Sequence, residues 1–355
     1  MYRLTEKLVS LTPYDPIQGD YKIRLDANES FIDTPDDILA KGVKGAALNR
    51  YPDPYAKKLL AAYGELYGID PDLVTAGNGS DELISIITAC FMQKNEKVLT
   101  LAPDFSMYSF YSSLYELDVR VMQKEDDLTI DVDKVIETIK RENIRAVLFS
   151  NPCNPTSLGL TKDKVEKLIT SVDALVILDE AYMDFWREDQ SLIKNTVGYD
   201  NLIVLRTCSK ALGMAGLRLG FAVSNKMITE KMRAAKSPYN VNSLTQSVAE
   251  YMLSDKAEMD RRIKACKEAV KELQEILSQI KIENGMFDTY FSYFKTVYHS
   301  VTNFVFVKTL KAREIFEYLL SQSIAVRHMG DYLRITAGSS EENEALMMAL
   351  LGFKG

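Results

Sequence analysis

Short apolar runs alternate with amphipathic segments from about Tyr55 to Thr229, and few architectures accept that pattern. Residues 97–102 (KVLTLA), 144–150 (IRAVLFS), 174–180 (ALVILDE), 201–209 (NLIVLRTCS) and 217–224 (LRLGFAVS) carry β-branched residues and few charges, as strands covered on both faces must. Between them, 80–92, 131–141 and 161–171 read as helices, each entered by Ser, Asp or Thr in a capping position. This alternation predicts an α/β fold, a mostly parallel sheet with helices on both faces. From 242 to 282 the pattern turns long and helical, with apolar residues three and four apart. Beyond it, 301–309, 325–329 and 332–338 read as strands with a helix near 311–321 and another closing the chain, which suggests a smaller α+β unit. The expected division is an arm over 1–31, a large unit over 32–241 and a small one over 242–355; the arm can pack on either unit.

At 355 residues the chain has room for about two domains. With 46% hydrophobic and 26% charged residues it has ordinary globular composition. A net charge of -7 offers no basic surface for nucleic acid. Two histidines, His299 and His328, and four scattered cysteines (Cys90, Cys153, Cys208, Cys266) do not have zinc-site spacing, so no metal is expected. So few cysteines also fit a reducing compartment. No run of the roughly 18–20 apolar residues that span a bilayer is present, and the N-terminal residues lack a secretory h-region. A cytoplasmic location and no membrane partner are expected.

In an open parallel sheet, ligands bind beyond the carboxyl ends of the strands. Four groups stand there: Asn151–Thr156 (NPCNPT), Asp179-Glu180-Ala181-Tyr182, Thr207-Cys208-Ser209-Lys210 followed by Arg218, and the helix-opening Gly77-Asn78-Gly79-Ser80-Asp81. Lys210 follows an apolar strand and points into a cleft, where a desolvated amine near another cation has a lowered pKa and forms Schiff bases. Asp179 either caps the following turn or faces a pyridine nitrogen, keeping it protonated so that the ring becomes an electron sink. Asn154 lies in a turn between prolines; Asn154 and Tyr182 can both bond a phenolate oxygen. Free N–H groups at the helix start near Ser80 form an anion site, with Asp81 contributing its backbone N–H while its side chain caps the helix. Thr207, Ser209 and Arg218 add hydroxyls and a fixed positive charge. No Walker loop is present, and Glu82 stands at the last glycine position of a dinucleotide fingerprint. An imine lysine, a pyridinium carboxylate, phenolate donors and a phosphate cup are the parts of a pyridoxal-phosphate site.

At this point the chain resembles the fold-type I aminotransferases, and within them the histidinol-phosphate aminotransferase subgroup. The matching stretches are LDANES (25–30), NRYPDP (49–54), GNGSDE (77–82), APDFSMY (102–108), SNPCNPT (150–156), LDEAYMDF (178–185), RTCSKALGMAGLRLG (206–220), PYNVN (238–242) and LRIT (333–336), in the family's order over nearly the whole chain. The resemblance implies that Lys210 carries the cofactor and then acts as general acid and base. It also implies that Asp179 faces the ring nitrogen, that Asn154 and Tyr182 bond the ring oxygen, and that Phe105 stacks on the ring. Ser80, Asp81, Thr207, Ser209 and Arg218 would hold the phosphate. Tyr51 would reach the cofactor of a second subunit, implying a homodimer with shared sites; from residues alone it reads as a staple before the next helix. Two positions depart from the family pattern: Ser157 replaces a usual glycine, and Asp104 stands where relatives often carry Thr.

The resemblance places Arg334 on the anionic group of the substrate. Arg327, seven residues earlier on an adjacent strand, is either its partner or a surface arginine. Two converging guanidiniums suit a phosphate. Tyr14 and Asn28, on the arm, resemble lid residues over the substrate, and His328 reads as a strand residue rather than a base. The expected reaction is histidinol phosphate plus 2-oxoglutarate giving imidazole acetol phosphate and glutamate. An aromatic or broad-specificity aminotransferase, a phosphothreonine-type decarboxylase and a cofactor-binding module without turnover are the alternatives.

Overall fold

The computed structural model describes residues 2–9, 11, 16–186, 189–282 and 294–353. Tyr14 lies outside the described residues. The described strands are β1 (Ile23–Leu25), β2 (Val74–Gly77), β3 (Lys97–Ala102), β4 (Asp118–Gln123), β5 (Ala146–Ser150), β6 (Leu175–Asp179), β7 (Leu202–Thr207), β8 (Gly220–Ser224), β9 (Phe294–Val297), β10 (Phe304–Thr309), β11 (Ile324–Met329) and β12 (Tyr332–Thr336). They form a seven-stranded sheet in the order β2-β8-β7-β6-β5-β3-β4 and a five-stranded sheet in the order β1-β11-β12-β10-β9.

In the larger sheet β4, β3, β5, β6 and β7 run parallel, and β8 is antiparallel to both β7 and β2. The apolar runs are buried on both faces because successive side chains alternate between two cores. Val147, Phe149, Val176 and Leu178 face Val135, Ile139, Val165 and Leu168 of the helices Val132–Glu142 and Lys162–Ser171. Ala146, Leu148, Ile177 and Ile203 face Leu83, Ile84 and Ile87 of the helix Gly79–Cys90 on the opposite side. The expected helix starts lie close to those seen; Asp131 accepts hydrogen bonds from the N–H groups of Asp133 and Lys134 as an N-cap.

The smaller sheet buries Leu25, Val326, Leu333 and Ile335 against helices Lys256–Ile282, Ala312–Ser321 and Ser340–Gly352. The long helical stretch expected over 242–282 is two helices, Ser243–Ser254 and Lys256–Ile282, with the break at Asp255. The arm joins the smaller sheet: β1 pairs in parallel with β11, Leu25 beside Val326. Among the described residues, no helix is long and apolar enough to cross a membrane.

Candidate active site

The carboxyl ends of β3, β5, β6 and β7 open onto one cavity of about 480 Å³, closed from the other side by the arm and by β12. Asp179, the last residue of β6, is buried; its Oδ2 accepts from the Tyr108 hydroxyl at 2.8 Å and its Oδ1 from the Ala181 N–H at 3.0 Å. Among the described residues no lysine or arginine forms an ion pair with it. Burial therefore pushes its carboxyl from the ordinary 3.8 up to about 7, against the two hydrogen bonds and with Asp104 and Asp81 adding repulsion.

Lys210 stands beyond the end of β7 in the same wall, its Nζ donating to the Ala27 carbonyl of the arm at 3.0 Å. Burial first, then the positive charges of Arg334 and Arg218, pull its amine down to about 8. Tyr182 also lines the cavity, and its hydroxyl oxygen accepts from Asn28 Nδ2 at 2.9 Å, which leaves its own proton to donate. Burial pushes this phenol up to about 12, so it stays protonated. Asn28 holds that position with φ 55, a backbone region asparagine tolerates, and is tied to β12 through Thr336 Oγ1. Asn154 accepts from Arg334 Nη1 through its Oδ1 at 2.6 Å, so its amide N–H groups remain for a second acceptor.

Ser80 and Asp81 begin the helix Gly79–Cys90 against the cavity, and Thr207, Ser209 and Arg218 complete the cup. A Cβ on Gly220 would lie 2.6 Å from both Gly79 C and Ser80 N, so only glycine lets β8 pass this helix start. The expectation that Asp81 caps the helix is corrected. Glu82 takes that role, its Oε2 accepting from the Asn78 N–H at 2.6 Å and from Asn240 Nδ2 at 2.8 Å. Asp81 instead pairs with Arg218 at 3.4 Å.

Of the residues expected from sequence, Phe105 and Arg334 also line the cavity, whereas Tyr51 and Arg327 stand outside its wall. Tyr51 is exposed and stacks on Tyr239, with centroids 4.6 Å apart. Arg327 lies on β11 directly across from Arg334, and its neighbour His328 stacks on Phe316. Ser157 takes φ 63, a left-handed backbone conformation that glycine adopts freely. Asp104 is buried 3.5 Å from Lys124, accepts from Ser150, and has its carboxyl raised by burial.

Sequence reasoning missed Tyr108 as the partner of Asp179, Lys124 as the partner of Asp104, and Arg206. Arg206 is buried, donates to Glu180 at 3.1 Å and pairs with Asp184, fixing the segment that follows Asp179. The available signal was two acids four residues apart, Glu180 and Asp184, just after a buried strand, and an arginine, Arg206, within the next apolar run.

These residues fit pyridoxal phosphate on the structure's own terms. A buried carboxylate without a cation faces the same cavity as a lysine of lowered basicity, and a glycine-dependent helix start with an arginine forms an anion cup.

The family described as "Aminotransferase class I and II" matches residues 20–350. The chain is 38% identical over 352 residues to a histidinol-phosphate aminotransferase of Clostridium kluyveri, covering 96% of each chain. It is 40% identical to the enzyme of that name from Clostridium novyi, covering 96% of this chain and 94% of the relative. The solved histidinol-phosphate aminotransferase of Sinorhizobium meliloti, in complex with pyridoxal-5'-phosphate, superposes with a TM-score of 0.86 at 23% identity over 99% of this chain and 97% of that one. The L-threonine-O-3-phosphate decarboxylase of Porphyromonas gingivalis shares the fold at a TM-score of 0.75 and 22% identity, over 93% and 98% of the two chains.

Proposed function

Since the chain belongs to the class I and II aminotransferases, we propose that it moves the amino group of histidinol phosphate to 2-oxoglutarate, releasing imidazole acetol phosphate and glutamate, in histidine biosynthesis. It is a pyridoxal-phosphate-dependent enzyme. The cofactor, when bound, supplies an aldehyde for the substrate amine and a ring that accepts the electrons of the adjacent carbon–hydrogen bond.

Lys210 would hold the aldehyde through its Nζ and, as a free amine, would take and return the proton of the substrate's amine-bearing carbon. An amine near 8 suits both directions, because neither form is scarce at neutral pH. Asp179 keeps a proton on the ring nitrogen, and its own charge is settled by that cation. Tyr182 donates its hydroxyl proton to the ring oxygen, freed for this by the Asn28 amide, and Asn154 donates an amide N–H to the same oxygen. Phe105 covers one ring face. The phosphate is held by the Ser80 and Asp81 backbone with Thr207, Ser209 and Arg218. Arg334 takes the anionic end of the substrate and Asn28 lies beside it, whereas Arg327, outside the cavity wall, does not reach it.

The observation that carries this reading is that Lys210 and Asp179 line one cavity, each shifted toward neutrality by burial. Adding glutamate to the cofactor-loaded protein should convert the imine absorbance to that of the amine form, and histidinol phosphate should then be turned over in preference to aromatic amino acids. Release of CO₂ from phosphothreonine without amino transfer would overturn it.

The same proposal covers the assembly and the units. Leu39, Val43, Leu48, Tyr51, Tyr55 and Tyr239 are exposed apolar side chains that a second copy would cover. A homodimer with Tyr51 reaching the neighbouring site is thus expected in the cytoplasm, with the arm over 1–31 and units over 32–241 and 242–355. A monomer mass at working concentration by sedimentation equilibrium would exclude shared sites.

A further inference from the structure

The five-stranded sheet turns one face to its own helices and the other to the cavity. Leu25, Val326 and Leu333 lie on the first. The register sets Arg24 beside Ala325 and Arg327 opposite Arg334, so side-chain alternation places all three arginines on the second. Only Arg24 and Arg334 reach the cavity wall. Both are anchored on one residue: Arg24 Nε and Nη2 bond the Asp26 carboxylate at 3.3 and 3.1 Å, and Arg334 Nη2 bonds the Asp26 carbonyl at 2.5 Å. The carbonyls of Ile17 and Gly19, each 3.4 Å away, complete the fixing of the Arg24 guanidinium. Its side chain is 40% exposed while that of Asp26 is 6% exposed, so the arginine and not the acid presents a surface to a ligand.

We propose that Arg24 is a specificity residue for the phosphoryl group of the amine substrate, a guanidinium that the arm brings into the cavity wall that also holds Arg334. The inference rests on the reading of the substrate as a phosphorylated amine. A dianionic, three-oxygen phosphoryl group can accept from two guanidiniums at once, whereas each of the two carboxylates of glutamate is a two-oxygen monoanion, and Arg334 alone satisfies the one that takes the phosphoryl group's place. Arg24 therefore separates the two substrates that share the site, and it acts on one half-reaction only.

The test is steady-state kinetics of the cofactor-loaded enzyme with histidinol phosphate, its dephosphorylated analogue histidinol, and glutamate. In Arg24→Gln the preference for the phosphorylated amine, as a ratio of kcat/KM values, should fall by roughly tenfold or more. The KM for glutamate should stay within about twofold, and Arg24→Lys should restore part of the preference. Because Arg24→Gln leaves the Asp26 charge uncompensated, the double variant Arg24→Gln/Asp26→Asn separates lost attraction from new repulsion. Persistence of the loss in the double variant supports direct contact, and recovery there overturns the inference. A wild-type preference that Arg24→Gln leaves unchanged overturns it while the proposed function stands. A wild-type enzyme without any preference for the phosphorylated amine overturns both.

Discussion

Replacing Asp179 by asparagine probes whether its buried carboxylate is costly until a cation arrives. In the folded, cofactor-free protein burial lifts this group from 3.8 to about 7. In the unfolded chain it returns to its ordinary range near 4. Between those values the folded state holds a proton that the unfolded state has released, so stability falls as pH rises. Below about pH 4 both states are protonated and the penalty is absent; above about pH 7 it is complete. The gap of roughly three pH units, at about 1.36 kcal/mol each, is about 4 kcal/mol. The variant carries no charge there at any pH. Its stability advantage over the cofactor-free wild type should grow from near zero at about pH 4 to about 4 kcal/mol at pH 8, a melting difference on the order of 5 °C. With pyridoxal phosphate bound, the sign should reverse, because the wild-type carboxylate then has its cation and the variant does not. Thermal unfolding of the stripped and loaded forms of both proteins between pH 5 and 8, followed by circular dichroism, reads this out. A stability difference that does not change with pH, or that shrinks as pH rises, would refute the reasoning.

Lys210→Ala should abolish transamination while leaving the far-ultraviolet circular dichroism of the wild type, and retained turnover would remove the lysine from its role. Arg334→Ala should raise KM for both the phosphorylated amine and glutamate by about ten- to a hundredfold, the worth of a charge-assisted contact; unchanged values for both would place it outside the site. Arg206→Met leaves Glu180 and Asp184 without their cation, with Glu180 fully buried. It should cost about 3–5 kcal/mol in unfolding measurements, and a loss under about 1 kcal/mol would mean that the pair is not structural.

What was legible in the sequence follows from burial. The strands β3, β5, β6 and β7 announce themselves as unbroken apolar runs because both of their faces are covered. The edge strand β4, DVRVMQ, has one side toward solvent and mixes polar with apolar residues, so its run is not continuous. The strands β1 and β2 have only three and four residues, too few to show a period. The cavity-lining groups of the proposed site were legible because this architecture delivers them in order at strand ends. Their partners were not, since Tyr108 reaches Asp179 from the helix Met107–Leu114 and Lys124 reaches Asp104 from just past the end of β4. Such pairings are made by the sheet order, which no local spacing records. Arg24 is the extreme case: beyond the arm residues that fix it, Arg334 in the same cavity wall lies about three hundred residues away in sequence, and the pairing of β1 with β11 brings the arm there.

That pairing also explains why the arm matters to the chemistry. Three hydrogen bonds cross from the arm or the small sheet to the strand ends of the large one: Lys210 Nζ to the Ala27 carbonyl, Asn28 Nδ2 to the Tyr182 hydroxyl, and Arg334 Nη1 to Asn154 Oδ1. Each ends on a group that the proposed reaction uses, while the seam is also held by the Val301 N–H on the Ser157 carbonyl, by Lys267 Nζ on the Trp186 carbonyl, and by Phe304 and Cys266 packed with Tyr182 and Phe185. In the proposed reaction Arg334 is at once the grip on the substrate anion and the group that holds Asn154 through its Oδ1. Anion binding that draws Arg334 away from Asn154 would change the donor on the ring oxygen, while binding that keeps both contacts leaves it set. The two sheets therefore share one geometry at this seam, and substrate recognition on the smaller one is read directly by the ring donors on the larger one.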